Sequence, residues 1–245
     1  MHRPRITILG DGRLGWAVAA AAADRGLRTP VVGRPIGDRH DPAAFDGADV
    51  VVDATVGTAV RGNLEAAIDG GVRRVVIATT GWAGDRETVD ASLREARAAA
   101  VASSNFSLGV ALFSRLVERA ADLFGAVEGF DPYLLEWHRR GKVDRPSGTA
   151  LELGRRIAGR HPATPTLEDL EIASVRAGAS PGMHLVGFDA VGETVELRLT
   201  ARDRSAYALG ILAAADWLTR DTRQPGLHPF DAVVDDLLGR PAIAA

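Results

Sequence analysis

The sequence predicts an α/β region followed by an α+β region. Up to about residue 100, apolar strand-like runs alternate with helix-length segments, the pattern of a parallel sheet with crossovers. The first run also ends directly on closely spaced glycines. Later, three strand-like segments come close together between Glu171 and Thr200, and the pattern is no longer one of regular alternation.

Taken in order, Arg5–Leu9 reads as a strand, Leu14–Arg25 as an alanine-rich helix and Thr29–Gly33 as a second strand. The polar stretch with Pro35, Gly37, Asp38 and Pro42 is too irregular for a full helix. Asp49–Thr55 is a buried strand, Ala59–Asp69 a helix, Arg73–Gly81 a strand and Arg86–Ala99 a helix. After Asn105 comes a long amphipathic helix, Gly109–Phe124, with Leu112, Leu116, Ala120 and Leu123 at helical spacing. Tyr133–His138 is a strand, and Pro146-Ser147-Gly148-Thr149-Ala150 opens a helix running to about Arg160. Strands follow at Glu171–Arg176, His184–Phe188 and Thr194–Thr200. The last sets Val195, Leu197 and Leu199 against polar partners, as a half-exposed antiparallel strand should. Helices at Tyr207–Thr219 and Asp231–Leu238 close the chain.

Composition excludes several classes. The 245 residues, 46% hydrophobic and 25% charged, are enough to bury a core and too apolar for a disordered chain. A net charge of −3 without single-sign blocks argues against a nucleic-acid surface. No 18-residue apolar run exists to span a membrane. Arg3, Arg5 and the alanines from Ala17 imitate a signal peptide, but Asp11 and Arg13 interrupt the apolar stretch. There is no cysteine, which fits a cytoplasmic protein and removes thiolate chemistry; no metal is expected. The chain has 28 arginines and one lysine, Lys142. A GC-rich genome accounts for the arginines. The lysine is either a chance survivor or a position that needs an ammonium, which can release its proton where a guanidinium cannot.

Gly10-Asp11-Gly12-Arg13-Leu14-Gly15 is a G-x-G-x-x-G that follows a strand and opens a helix. That context favours a Rossmann-like dinucleotide-binding domain over an ordinary glycine turn, with the pyrophosphate on the helix N-terminus. The second strand ends Val32-Gly33-Arg34, with no carboxylate before Asp38 and with Arg39 near, so NADPH is expected ahead of NADH. Ala78-Thr79-Thr80-Gly81 ends a strand on the same sheet edge and is a candidate nicotinamide lining, or a simple turn.

The densest segment runs from Glu136 to Ala150. A strand ends in His138, a basic loop holds Arg139 and Lys142, and Ser147-Gly148-Thr149 begins a helix whose free N–H groups suit an anion. His138 and Lys142 can both donate a proton. Singly they read as a strand-end histidine, a surface lysine and a serine N-cap; together they read as a site.

This segment resembles the signature E-x-H-H-x-x-K-x-D-A-P-S-G-T-A of dihydrodipicolinate reductases, the NAD(P)H-dependent enzymes of bacterial lysine and diaminopimelate synthesis. Further resemblances run in order along nearly the whole chain: Val52-Asp53-Ala54-Thr55, Ala78–Gly81, Ser104-Asn105-Phe106-Ser107, Val175–Gly178 and Asp203-Arg204. The resemblance implies a dinucleotide-binding domain over 1–105, completed by about 205–245. It implies a substrate-binding and oligomerisation domain over 106–204, with an open mixed sheet that packs subunits into a homotetramer. It implies that Ala54, Thr55, Ser104, Asn105 and Phe106 join the cofactor site and that His138 and Lys142 donate the proton. Ser147, Gly148, Thr149 and Arg204, with Arg139 beside them, would hold an anionic substrate, a cyclic unsaturated imine dicarboxylate. The departures are Arg139 for the second histidine, Arg145 before Pro146, Met183 for a glutamate, Leu199 for a histidine and Ala54 for an aromatic. They leave open a different cyclic imine or conjugated acid of specialised metabolism. A third reading, a non-catalytic nucleotide-binding sensor or assembly protein, is opposed by the retained His138 and Lys142.

Overall fold

The computed structural model describes residues 4–35, 39–220 and 223–239. The chain forms two compact units, Met1–Leu108 with Arg204–Ala245, and Gly109–Asp203.

The chain enters the first unit through β1 (Ile6–Leu9), α1 (Arg13–Asp24), β2 (Val31–Val32), β3 (Val50–Asp53), α2 (Val60–Asp69), β4 (Arg74–Ile77), α3 (Arg86–Glu95) and β5 (Ala99–Ala102). It then builds the second unit from α4 (Leu108–Gly125), β6 (Asp131–His138), α5 (Gly148–Ile157), β7 (Glu171–Arg176), β8 (Met183–Ala190) and β9 (Glu193–Thr200). It returns to the first through α6 (Ser205–Arg220), β10 (Gly226–Pro229) and α7 (Phe230–Leu237).

In the first unit six parallel strands lie in the order β10-β5-β4-β3-β1-β2. β1, β3 and β5 are buried at every position, as parallel strands covered on both faces must be. The sequence reading lacked two of these strands, β5 and β10. It ran the third helix on to Ala99, because Ala96–Ala100 carries helix propensity with a single break at Arg97. Arg97 takes a left-handed φ of 52° and ends the helix, after which the same small residues pair on both sides in the sheet. β10, Gly-Leu-His-Pro, has little strand propensity of its own and exists by pairing with β5.

In the second unit four strands lie in the order β7-β6-β8-β9, with β6 and β7 parallel and the other pairs antiparallel. Phe113 and Val117 of α4 and Leu153 and Ile157 of α5 close one face over Leu134, Val186 and Phe188. On the other face Trp137 and Val175 are 39% and 41% exposed. Two-residue alternation therefore puts Leu134, Glu136 and His138 together on the covered face. That parity places a carboxylate and an imidazole inside the unit.

Candidate active site

In the first unit the glycine turn is built by close approach. Gly10 has a φ of 101°, and a Cβ there would lie 2.5 Å from the Ala54 carbonyl oxygen. A Cβ on Gly15 would fall 1.9 Å from the Gly10 oxygen. Gly12 differs. Nothing lies within 4 Å of its Cβ position, and it caps α1 with no side-chain hydrogen bond. The first-turn N–H groups thus face an open, side-chain-free cradle, which fits a pyrophosphate. Arg13 is exposed and Leu14 half-buried at its edge.

The turn joins Ala54, Thr55 and Thr79 around a buried carboxylate. Asp53 accepts from the Thr55 and Thr79 hydroxyls at 2.6 and 2.7 Å and from the Asn63 amide at 2.9 Å. The Thr55 N–H donates to Thr79 Oγ1 at 2.8 Å. The Thr79 hydroxyl is therefore spent inside the protein, while Thr80 is exposed and Ala78 half-buried. Ser104 is exposed, and Asn105 Oδ1 accepts the Ser107 N–H in a tight turn. The Phe106 ring packs in the core against Phe230, with centroids 4.9 Å apart. Arg34 is exposed; Arg39 is tied to Asp69, away from the strand end, and Asp38 lies outside the described residues. The Asp11 carboxylate lies against Gly33, 3.2 Å from where its Cβ would be.

In the second unit Glu136 organises the site, a residue the sequence reading left inside a motif without a role. Its side chain is fully buried. Oε1 accepts from the Ser147 N–H at 2.9 Å, the Ser174 hydroxyl at 2.6 Å and the Arg176 guanidinium at 2.6 Å. Burial alone would raise its pKa. The hydrogen bonds from Ser147, Ser174 and Arg176 outweigh burial and hold it at about 2. Oε2 faces His138 Nδ1 at 3.2 Å and His184 Nε2 at 3.7 Å. Burial lowers the pKa of His138, and burial together with the neighbouring His138 lowers that of His184 to about 4.

Ser147 caps α5: its Oγ accepts the Ala150 N–H at 3.2 Å and lies 3.2 Å from His184 Nε2. Gly148 is exposed and Thr149 half-buried on the first turn. The loop between His138 and Ser147 is folded back on the turn between β7 and β8. The Arg139 N–H donates to the Ser180 carbonyl at 2.7 Å and that of Lys142 to the Arg139 carbonyl at 3.1 Å. The sequence surrounds Lys142 with arginines, but the structure gives it a counter-ion, Asp144, at 2.7 Å. Arg139 is exposed. Arg204 is exposed too, and belongs to the first unit at the start of α6.

Glu136, His138 and His184 form the one group among the described residues whose donor atoms, all within 4.8 Å of one another, have a spacing that suits a metal ion. Arg176 already neutralises the same carboxylate, so a divalent ion would add uncompensated charge to a buried site. A neutral His138 ring that offers its own N–H to the carboxylate adds none.

Two family models match the chain: "Dihydrodipicolinate reductase, N-terminus" over residues 27–106 and "Dihydrodipicolinate reductase, C-terminus" over 109–234. A 4-hydroxy-tetrahydrodipicolinate reductase from Archaeoglobus fulgidus is 35% identical across 93% of this chain and 98% of its own. One from Chromobacterium violaceum is 38% identical across 80% and 76%. The fold resembles that of a dipicolinate-bound dihydrodipicolinate reductase from Paenisporosarcina, with a TM-score of 0.72 at 19% identity over 93% of this chain and 98% of that one. It is also similar, at a TM-score of 0.53 and 17% identity over 99% and 100% of the two chains, to a DAP dehydrogenase of C. glutamicum bound to DAP.

Proposed function

The chain belongs to the dihydrodipicolinate reductase family, and from that premise we propose that it reduces a cyclic unsaturated imine dicarboxylate of the hydroxytetrahydrodipicolinate kind. The observation that carries this reading is the buried Glu136–His138 pair at the end of β6, with Lys142 on the next turn and the α5 N-terminus opposite. A bound nicotinamide cofactor supplies the hydride. The chain's own residues do the rest. Ser147, Gly148 and Thr149 offer N–H and hydroxyl donors to a carboxylate at a helix N-terminus, each favourable electrostatic contact worth about 0.3–1 kcal/mol. Arg139 adds charge for the dianion, and the family resemblance gives Arg204 the same role. His138 or Lys142 releases the proton that balances the added hydride.

For the cofactor, exposed Arg34 favours a 2′-phosphate and the Asp11 carboxylate opposes it. One charge-assisted contact of about 1–2 kcal/mol gives NADPH roughly a tenfold preference over NADH. The open face of the four-stranded sheet, with Trp137 and Val175 uncovered, suits packing into a homotetramer. No described helix is long and apolar enough to cross a membrane, in keeping with a cytoplasmic biosynthetic enzyme of lysine and diaminopimelate synthesis.

Arg139 favours a second reading, a different cyclic imine or conjugated acid. The other departures weigh less. Met183 is buried and Leu199 packs against the core under α4 and α5, so both serve packing. Arg139→His separates the two readings. If the natural substrate is hydroxytetrahydrodipicolinate, the change leaves kcat/KM for it equal or lower. A large gain would assign the native chain to another substrate.

A further inference from the structure

We propose that Glu136 is a positioning residue: it holds His138 as the Nδ1–H tautomer, so that Nε2 is the atom that exchanges the proton. This rests on the reductase reading above only for the use made of the proton.

The two imidazoles beside Glu136 Oε2 differ in what they can offer it. Oε1 is saturated by Ser147, Ser174 and Arg176. Oε2 and His138 Nδ1 face each other at ion-pair distance, 3.2 Å, both buried, and neither makes a hydrogen bond to any group as the side chains stand. An ionised carboxylate only accepts, so Oε2 needs an N–H or O–H. His184 is the other candidate, but its Nε2 is 3.7 Å away, beyond hydrogen-bond reach, and 3.2 Å from Ser147 Oγ. That Oγ already accepts the Ala150 N–H. Its own proton points either at His184 Nε2 or at the Glu136 carboxylate beside it, the His184 Nε2–H then donating to Oγ; in neither arrangement does His184 offer a proton to Glu136. Of the two imidazoles, His138 with Nδ1–H is the one placed to donate.

Glycine at position 182 leaves room at the other end of the ring. A Cβ at Gly182 would press on His138 Nε2 at 3.1 Å and Cδ2 at 3.3 Å. The groups facing the ring have opposed effects: Glu136 and Asp144 favour the imidazolium, while burial, Lys142 and Arg176 disfavour it. His184 stands edge-on, 5.2 Å away. Glu136 thus offsets the cost of charging a buried imidazole and fixes which nitrogen gains and loses the proton. When Nε2 gives up its proton, the ring returns to the neutral form that Glu136 already holds.

Nitrogen-15 NMR of the resting full-length protein reads the tautomer directly, with His138 assigned by its loss in His138→Gln. The expected spectrum shows Nδ1 protonated and Nε2 bare in the neutral ring; the Nε2–H tautomer would overturn the proposal. This measurement needs no turnover, so the tautomer it finds stands even if the protein reduces no such substrate. Nor does it need Glu136→Gln to fold. If that variant folds, kcat should fall roughly 10²-fold or more with KM within a few fold. The alkaline limb of its pH profile should also move to lower pH, because the charge that raises the His138 pKa is gone. An unchanged limb would overturn the proposal, as would tight one-to-one Zn2+ binding by the native chain that Glu136→Gln abolishes.

Discussion

Replacing Lys142 with arginine keeps a cation on the turn after β6 and removes the proton it can release. The Asp144 carboxylate beside it, whose pKa is lowered by the hydrogen bond from Lys142, can pair with either side chain. Lys142→Arg should therefore hold KM within a few fold and lower kcat by roughly 10²–10⁴, as steady-state rates across pH would show. A near-native rate would leave Lys142 a binding charge only. His138 and Lys142 were legible because their residue types are informative at their spacing. Glu136, Arg176 and His184 were not, since a charged residue inside a strand reads as solvent-facing until its neighbours' parity is known. Leu134, Glu136 and His138 share one parity, and that was the available signal.

The β1–α1 turn separates two jobs that the sequence merges into one motif. Gly10 and Gly15 are demanded by backbone contacts, whereas the Cβ position of Gly12 meets nothing within 4 Å. Gly12→Ala should thus cost no more than about 1 kcal/mol in stability, alanine being a poorer N-cap than glycine. It should weaken NADPH binding by tenfold or more if a pyrophosphate occupies the space, roughly 1.4 kcal/mol. The same calorimetric titration on Arg34→Ala should narrow the gap between NADPH and NADH; an unchanged ratio would remove Arg34 from the site. Strands with their own apolar runs, β1, β3 and β4, were readable. β5 and β10 were not, because an alanine run and a Gly–Pro segment become strands only through the partners the sheet provides.

At the scale of the whole molecule, the buried cluster links stability to acid. Glu136 has a folded pKa of about 2 against an ordinary 4.5, and His184 about 4 against 6.5. In both cases the unfolded chain takes up the proton more readily, so stability is full above the ordinary values and falls as pH drops. Chemical denaturation should show a first loss between pH 6.5 and 4 from His184 and a second from 4.5 towards 2 from Glu136. Each is on the order of 3 kcal/mol. A flat profile between pH 7 and 5 would mean that His184 is not buried neutral. Two units were legible in the sequence as a change from alternating to clustered strands, but which substrate the site takes was not. That question is one of turnover. The most direct test follows NADPH oxidation at 340 nm with freshly generated hydroxytetrahydrodipicolinate and the intact protein. The account predicts saturable turnover of roughly 1–1000 per second; NADPH binding without oxidation, at any concentration of that substrate, would contradict it.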